Sequence, residues 1–212
     1  LIKALDDKYY GLRVLAIQKL DVSKPNAKTA IKKLENIAVN DKKTLVRAAA
    51  ISQLEILEDA KYIPLFNKGL QSNSNAVKRS SLMALSKLDK EAALKFALSV
   101  DNELDKKSLK DVLIPVYILN KTESQMPFIA DNIVEGMFFA DTRAKSNAYK
   151  EGFQWVAASD DKEVTENLVN NFVTAGLQYK QYGVDKISIQ VLEQVLEIKK
   201  ESNSINKGEL IK

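Results

Sequence analysis

The stretch Leu12-Arg13-Val14-Leu15-Ala16-Ile17-Gln18-Lys19-Leu20 returns 34 residues later as Val46-Arg47-Ala48-Ala49-Ala50-Ile51-Ser52-Gln53-Leu54. The pattern kept is apolar-Arg-x-x-Ala-x-x-x-Leu. A third copy, Val77-Lys78-Arg79-Ser80-Ser81-Leu82-Met83-Ala84-Leu85, follows 31 residues further on. Self-similarity at such a period marks an array of supersecondary units. The apolar residues recur at spacings of three and four, which is the period of a helix and not of a strand. Upstream of each copy stands a polar turn: Asp6-Asp7, Asn40-Asp41 and Ser72-Asn73-Ser74-Asn75. Before two of these turns lie further helical stripes, one of Ala30, Ile31, Leu34, Ile37 and Ala38, the other of Ile63, Phe66 and Leu70. The unit is therefore helix A, a short turn, helix B. A pair this short cannot bury its own apolar face, so neighbouring pairs must stack.

Helix boundary signals agree. Asp41 and Asp59 stand where a carboxylate can accept from free amides at a helix start. Ser23 or Lys24 precedes Pro25 at the next start, and Pro64 falls in a first turn, where a missing N–H costs little. The pattern continues with looser spacing as three more pairs: 92–100 with 108–119, 125–134 with 142–158, and 164–177 with 184–198. In the last helix Val184, Ile187, Val191, Val195 and Ile198 define the expected apolar face, and Asp160 with Glu163 reads as a capping-box variant ahead of its partner. No segment is rich enough in Pro, Gly or Ser to be a linker. The expected fold is all-α, an α–α superhelix of five to six HEAT-like helix pairs over residues 1–200, followed by a weakly ordered tail, 201–212.

Composition excludes several chemistries. The 212 residues contain no His and no Cys, which rules out a His-based triad, a Cys nucleophile, zinc held by imidazole or thiolate, and a disulfide framework within the chain. A Cys-free chain suits either a reducing or an oxidising compartment. Lys and Arg number 32 and Asp and Glu 28, so the net charge of +4 makes a weak field. The Lys pairs at 32–33, 42–43, 106–107 and 199–200 are dispersed and have acids nearby, as solvated helix faces do. No apolar run approaches the roughly 18 residues of a membrane span. The chain opens on Leu1 rather than Met and is expected to be a fragment of a longer or processed protein. The seven glycines form neither a Walker nor a dinucleotide-binding loop.

Asp7 and Arg13 are six residues apart, as are Asp41 and Arg47. An Asp at the inter-helix turn and an Arg one to two turns into helix B resembles the HEAT-repeat pattern, in which the Asp caps turn amides and the Arg bonds to it or to a neighbouring repeat's Asp. The third copy departs, with Ser72 in place of Asp and Lys78 in place of Arg, and Lys lacks the bidentate fork. The functional alternative is that Arg13, Arg47, Lys78 and Arg79 line an anion-binding surface. Asp6-Asp7, Glu58-Asp59 and Asp160-Asp161 are read as caps rather than acid–base pairs. Tyr149, Phe153 and Trp155 are expected to pack between helices. Phe138 and Phe139, after Gly136-Met137, are expected to follow a helix end in a partly exposed turn; they are the candidate inter-domain contact, with burial between repeats as the default reading. Tyr179, Tyr182 and Gly183 occupy the last connection, where Gly183 supplies backbone freedom.

Three stretches carry a closer resemblance: Asp7-Lys8-Tyr9-Tyr10-Gly11-Leu12-Arg13, Asn40 to Ala50, and Asp59-Ala60-Lys61-Tyr62-Ile63-Pro64-Leu65-Phe66. In this order they resemble the C-terminal HEAT-like domain of bacterial aminopeptidase N-like enzymes, the gluzincin zinc metallopeptidases, over about residues 6–88. The resemblance implies that catalysis belongs to an upstream domain, where an HExxH helix and a distant Glu hold zinc. It implies for this chain a non-catalytic role, enclosing the active-site cavity and restricting peptide access, with the upstream peptidase domain and the parent's peptide substrate as partners and with no membrane insertion. The alternative is a free-standing HEAT-type scaffold that binds a protein; nucleic acid is not an expected partner, since it would need a basic stripe and the net charge is only +4.

Overall fold

The computed structural model describes residues 1–139 and 143–201. The expected transition from Phe139 into the helix beginning near Thr142 and the proposed tail beyond Glu201 lie outside the described residues. The described chain is helical, with no strand: α1 (Tyr10–Gln18), α2 (Lys28–Asn40), α3 (Thr44–Glu55), α4 (Ile63–Leu70), α5 (Asn75–Leu88), α6 (Lys90–Ser99), α7 (Glu103–Leu119), α8 (Met126–Phe139), α9 (Arg143–Ala157), α10 (Lys162–Gln178) and α11 (Val184–Glu201). This is the all-α class of helix pairs, an α–α superhelix, that the repeat requires. The helices divide into two compact units, Leu1–Val116 and Tyr117–Lys212.

In the first unit α1, α3 and α5 are the B helices, packed in sequence, with α2 against α3 and α4 against α5. The alanines of the repeat explain the close stacking: Ala16, Ala50 and Ala84 are all buried, beside Ile17, Ile51 and Leu85. The α2 stripe is buried at Ala30, Leu34, Ile37 and Ala38. The A helix of the first pair is reduced to a 3-10 turn, Ile2–Asp6, anchored by buried Leu5. Pro25 does not begin α2; the helix starts at Lys28 without a side-chain cap, because residues 21–27 form turns that delay the entry. Pro64 sits in the first turn of α4, and Asp59 accepts from the Lys61 amide just before it.

In the second unit α8 packs on α9 and α10, and α10 on α11. Its core holds Phe153 and Phe172, edge to face at 5.8 Å between ring centres. Burial pushes the Tyr117 phenol up to about 12. Asp161, not Asp160, caps α10, accepting from the Glu163 and Val164 amides; the helix begins one residue later than the capping-box reading placed it. The buried face of α11 is Val184, Ser188, Val191, Val195 and Lys199, while Ile187 is 45% exposed. Lys199 reaches the Ser159 carbonyl just past the end of α9, so its long stem packs inside while its ammonium finds an acceptor. Gly183 adopts the left-handed conformation, φ 77°, that ends the preceding turn.

Candidate functional site

The repeat builds one surface three times. α1 contributes Tyr10, Gly11, Val14 and Gln18, α3 contributes Leu45, Ala48, Ala49 and Ser52, and α5 contributes Ala76, Arg79 and Ser80 to a groove of about 480 Å³. Ala48, Ala49, Ser52, Ala76 and Ser80 contribute short side chains to its lining, beside the larger Tyr10, Leu45 and Arg79. Ser52 and Ser80 bridge it by a 3.0 Å hydrogen bond between hydroxyls. At one end the Lys43 ammonium stands over the Tyr10 ring, 5.8 Å from its centre. The groove is long, small-walled and mainly apolar, with hydroxyl and amide groups along it.

Beside the groove runs a ladder of repeat-fixed polar residues. The Asp7 carboxylate accepts from the Tyr9 amide at 2.8 Å, and the Asp41 carboxylate accepts from the Lys43 amide at 2.8 Å. Both therefore close the turn before the B helix rather than cap the helix proper. The Arg13 guanidinium donates to the Asp7 carbonyl at 2.8 Å and forks onto both Asp41 oxygens at 2.9 Å each. One arginine thus ties its own turn to that of the next repeat. Burial works against the charge on Asp41, but the bonds from Arg13 and the Lys43 amide outweigh it and hold its carboxyl below the ordinary value. Arg47 likewise donates to the Asp41 carbonyl, at 2.6 Å. In the next turn Ser72 accepts from the Ser74 amide at 3.2 Å, repeating the turn closure without offering Arg47 a carboxylate. Arg79 resumes the pairing one residue out of register, with Asp111 at 3.0 Å and with the Ser108 carbonyl. Arg13 and Arg79 are consequently engaged by acids of the chain itself and do not form the free anion-binding row.

The second unit carries a cleft of about 620 Å³ lined by Glu123, Met126, Pro127, Trp155, Ser159, Asp160 and Asp161, among others. Trp155 does not join Tyr149 and Phe153 in the core. It is half-buried at this cleft, with the Lys121 ammonium 4.9 Å from its ring centre. The helix does not stop before Phe138: α8 runs on to Phe139, and the Phe138 ring packs edge to face on Phe172 at 6.1 Å. The Phe139 side chain lies outside the described residues. The signal missed for Phe138 was simple: Gly136 reads as a helix stop, but here it admits the Tyr149 ring, which an added Cβ would meet at 2.1 Å.

Among the described residues no group of three or more Asp and Glu side chains could hold a metal ion, and no helix is long and apolar enough to cross a membrane. No curated protein matches the chain. The family model for HEAT repeats matches residues 1–86 and, in an overlapping register, 31–106. These spans contain the three B helices, the Arg13–Asp41 fork and the groove, and together cover half of the sequence. The chain belongs to the HEAT-repeat family.

Proposed function

We propose that this chain is a non-catalytic HEAT-repeat module that holds a peptide segment along the groove of α1, α3 and α5. The observation that carries this reading is the groove itself, built from the same helical face of three successive repeats with the small side chains of Ala48, Ala49 and Ala76 in its lining. The absence of His and Cys from the sequence supports a role in binding rather than in catalysis. The finer reading is the C-terminal helical domain of a zinc aminopeptidase, closing the active-site cavity and restricting which peptides enter. It rests on the resemblance of residues 6–88. In that reading zinc belongs to an upstream peptidase domain, because this chain has no imidazole or thiolate to offer it.

Two measurements test these statements separately. A fluorescent library of unstructured peptides titrated into the purified chain should yield binders, and Ala49→Trp, which fills the groove from a half-buried position, should abolish their binding while the fold persists. Failure of every peptide to bind at millimolar concentration would refute the groove reading. Reading the gene upstream of Leu1 tests the aminopeptidase assignment. An in-frame HExxH with a downstream Glu supports it, and a start codon just ahead of Leu1 replaces it with a free-standing scaffold.

A further inference from the structure

Trp155 is the one tryptophan of the sequence, and it lines the cleft of the second unit. This cleft lies outside the residues matched by the HEAT-repeat model. Its lining combines the Trp155 indole, the apolar side chains of Met126 and Pro127, and the carboxylates of Glu123, Asp160 and Asp161. Every ionisable residue in that lining is an acid. Asp161 is occupied by the Glu163 and Val164 amides, whereas Glu123 and Asp160 are exposed to solvent. Among the described residues no three acids are grouped so as to hold a metal ion, so a bare metal ion is the wrong occupant.

The chain's own cations show what this wall accepts. The Lys121 ammonium stands 4.9 Å from the indole centre. The Lys199 ammonium, on a buried side chain, donates to the carbonyl of Ser159, another lining residue. Lys162, next to Asp161, instead places its ammonium 3.8 Å from Glu166. Lys121 reaches the ring from a strained backbone, with φ 48°. The Lys121 and Thr122 amides bond back to the Ile118 and Tyr117 carbonyls and close the end of α7. Glycine suits such a left-handed closing position best. The turn itself therefore has no need of a lysine; what the side chain adds is a cation on the indole.

We propose that this cleft binds a basic segment of a partner protein, laying a lysine or arginine side chain against the Trp155 indole and further positive charge against Glu123 and Asp160. An indole face attracts organic cations, and the methylene stem of a long basic side chain can cover Met126 and Pro127. The cleft volume of about 620 Å³ has room for a few residues of peptide and far exceeds a single ammonium ion. The net charge of +4 repels a basic partner from the chain as a whole, so affinity for one belongs to this local concentration of acids.

Trp155 emission reports on this cleft and not on the groove of α1, α3 and α5, because there is no other tryptophan. The test titrates the full chain with an amidated tri-arginine peptide, followed by emission and by calorimetry, with tri-glutamate and arginine amide as comparisons. Tri-arginine should change Trp155 emission saturably, and tri-glutamate should not. Glu123→Gln together with Asp160→Asn, both at exposed positions, should weaken binding roughly three- to tenfold. Trp155→Leu, read by calorimetry alone, should weaken it roughly threefold or more. Lys121→Gly relieves the backbone and uncovers the ring, so it should tighten binding roughly threefold and leave the thermal midpoint within about 2 °C. No saturable signal and no heat with tri-arginine, equal binding of tri-glutamate, or binding untouched by the paired acid substitutions would overturn the proposal. Arginine amide binding as tightly as tri-arginine would overturn the peptide occupant and leave a site for one small cation.

Discussion

Replacing Arg13 by Gln removes the one side chain that joins the first two turns of the array. The loss comprises two charge-assisted hydrogen bonds of 2.9 Å to Asp41 and one of 2.8 Å to the Asp7 carbonyl. The paired side chains are 13% and 10% exposed, so water replaces little of what is lost. Hydrogen bonds to charged groups contribute about 1.5 to 3 kcal/mol each in favourable settings. The fork acts as one unit, however, and Asp41 keeps the Lys43 amide, so the expected cost is about 2 to 3 kcal/mol. Arg47→Gln should cost about 1 kcal/mol, because Arg47 donates to a carbonyl and the corresponding residue of the next turn, Ser72, supplies no carboxylate for a fork. Urea unfolding of both variants, and of a cycle with Asp41→Asn, measures the difference. The coupling between residues 13 and 41 should exceed about 1 kcal/mol. A coupling near zero, or equal costs for the two arginines, would refute the ladder as an energetic device.

The fork also sets an acid dependence. Arg13 and the Lys43 amide hold the folded-state carboxyl of Asp41 below its ordinary value, so the folded chain binds this proton less readily than the unfolded chain does. The associated stability is present above the unfolded value and is lost as pH falls through the folded one. Comparing the stabilities of the parent and Arg13→Gln between pH 5 and pH 2, the gap should narrow toward the acid end; a constant gap would contradict the assignment.

Ala50→Leu should overpack the wholly buried contact of α3 and cost about 1 to 3 kcal/mol, and an unchanged thermal midpoint would show that the B-helix face is misplaced. Purified alone, the chain should hydrolyse no aminoacyl-nitroanilide with or without added zinc; zinc-dependent turnover by a clean preparation would defeat the non-catalytic reading. Lys121→Gln should redshift and weaken Trp155 fluorescence only modestly while leaving the fold intact, since the pair is a half-exposed contact at a cleft; global unfolding would place Trp155 in the core instead.

What could be read from the sequence follows from which interactions are local. The B-helix faces were legible because alanine and branched residues recur at the helical period, and burial of Ala16, Ala50 and Ala84 follows that recurrence. The turn function of Asp7, Asp41 and Asp59 was legible because an Asp side chain bonds amides two residues away. On α11 Val184, Val191 and Val195 are buried as expected, but apolar counting also favours Ile187, which is exposed, and Ile198. Such counting cannot anticipate that Ser188 is admitted by Gly176 or that Lys199 has a carbonyl within reach just past the end of α9. Trp155 was misplaced for a similar reason: two residues from Phe153 on a helix it points away from the core, whatever its size. The groove required the stacking of three helices, which no single window of sequence contains.

The less regular second half retains a physical signature of the helix pair. In the first unit Gly69 of α4 meets Ser81 of α5, and an added Cβ would lie 2.0 Å from the serine hydroxyl. In the second unit Gly176 of α10 meets Ser188 of α11, with the corresponding Cβ 3.1 Å away. Both contacts join residues 12 apart across an A–B turn, and both serine hydroxyls are buried without a hydrogen-bond partner. A buried, unpaired hydroxyl is unfavourable by itself; its recurrence opposite a glycine indicates that small volume is what the site selects. The backbones approach closely there, and serine fits where a larger side chain does not. Gly69→Ala should therefore be destabilising by about 1 to 3 kcal/mol despite alanine's better helix propensity, and Ser81→Ala in the same chain should recover part of the loss by removing the nearest atom. Gly176→Ala, with its looser contact, should cost less. If denaturant titration shows Gly69→Ala to be stabilising, close approach is not the organising feature of the pair, and the parallel between α4–α5 and α10–α11 loses its physical basis.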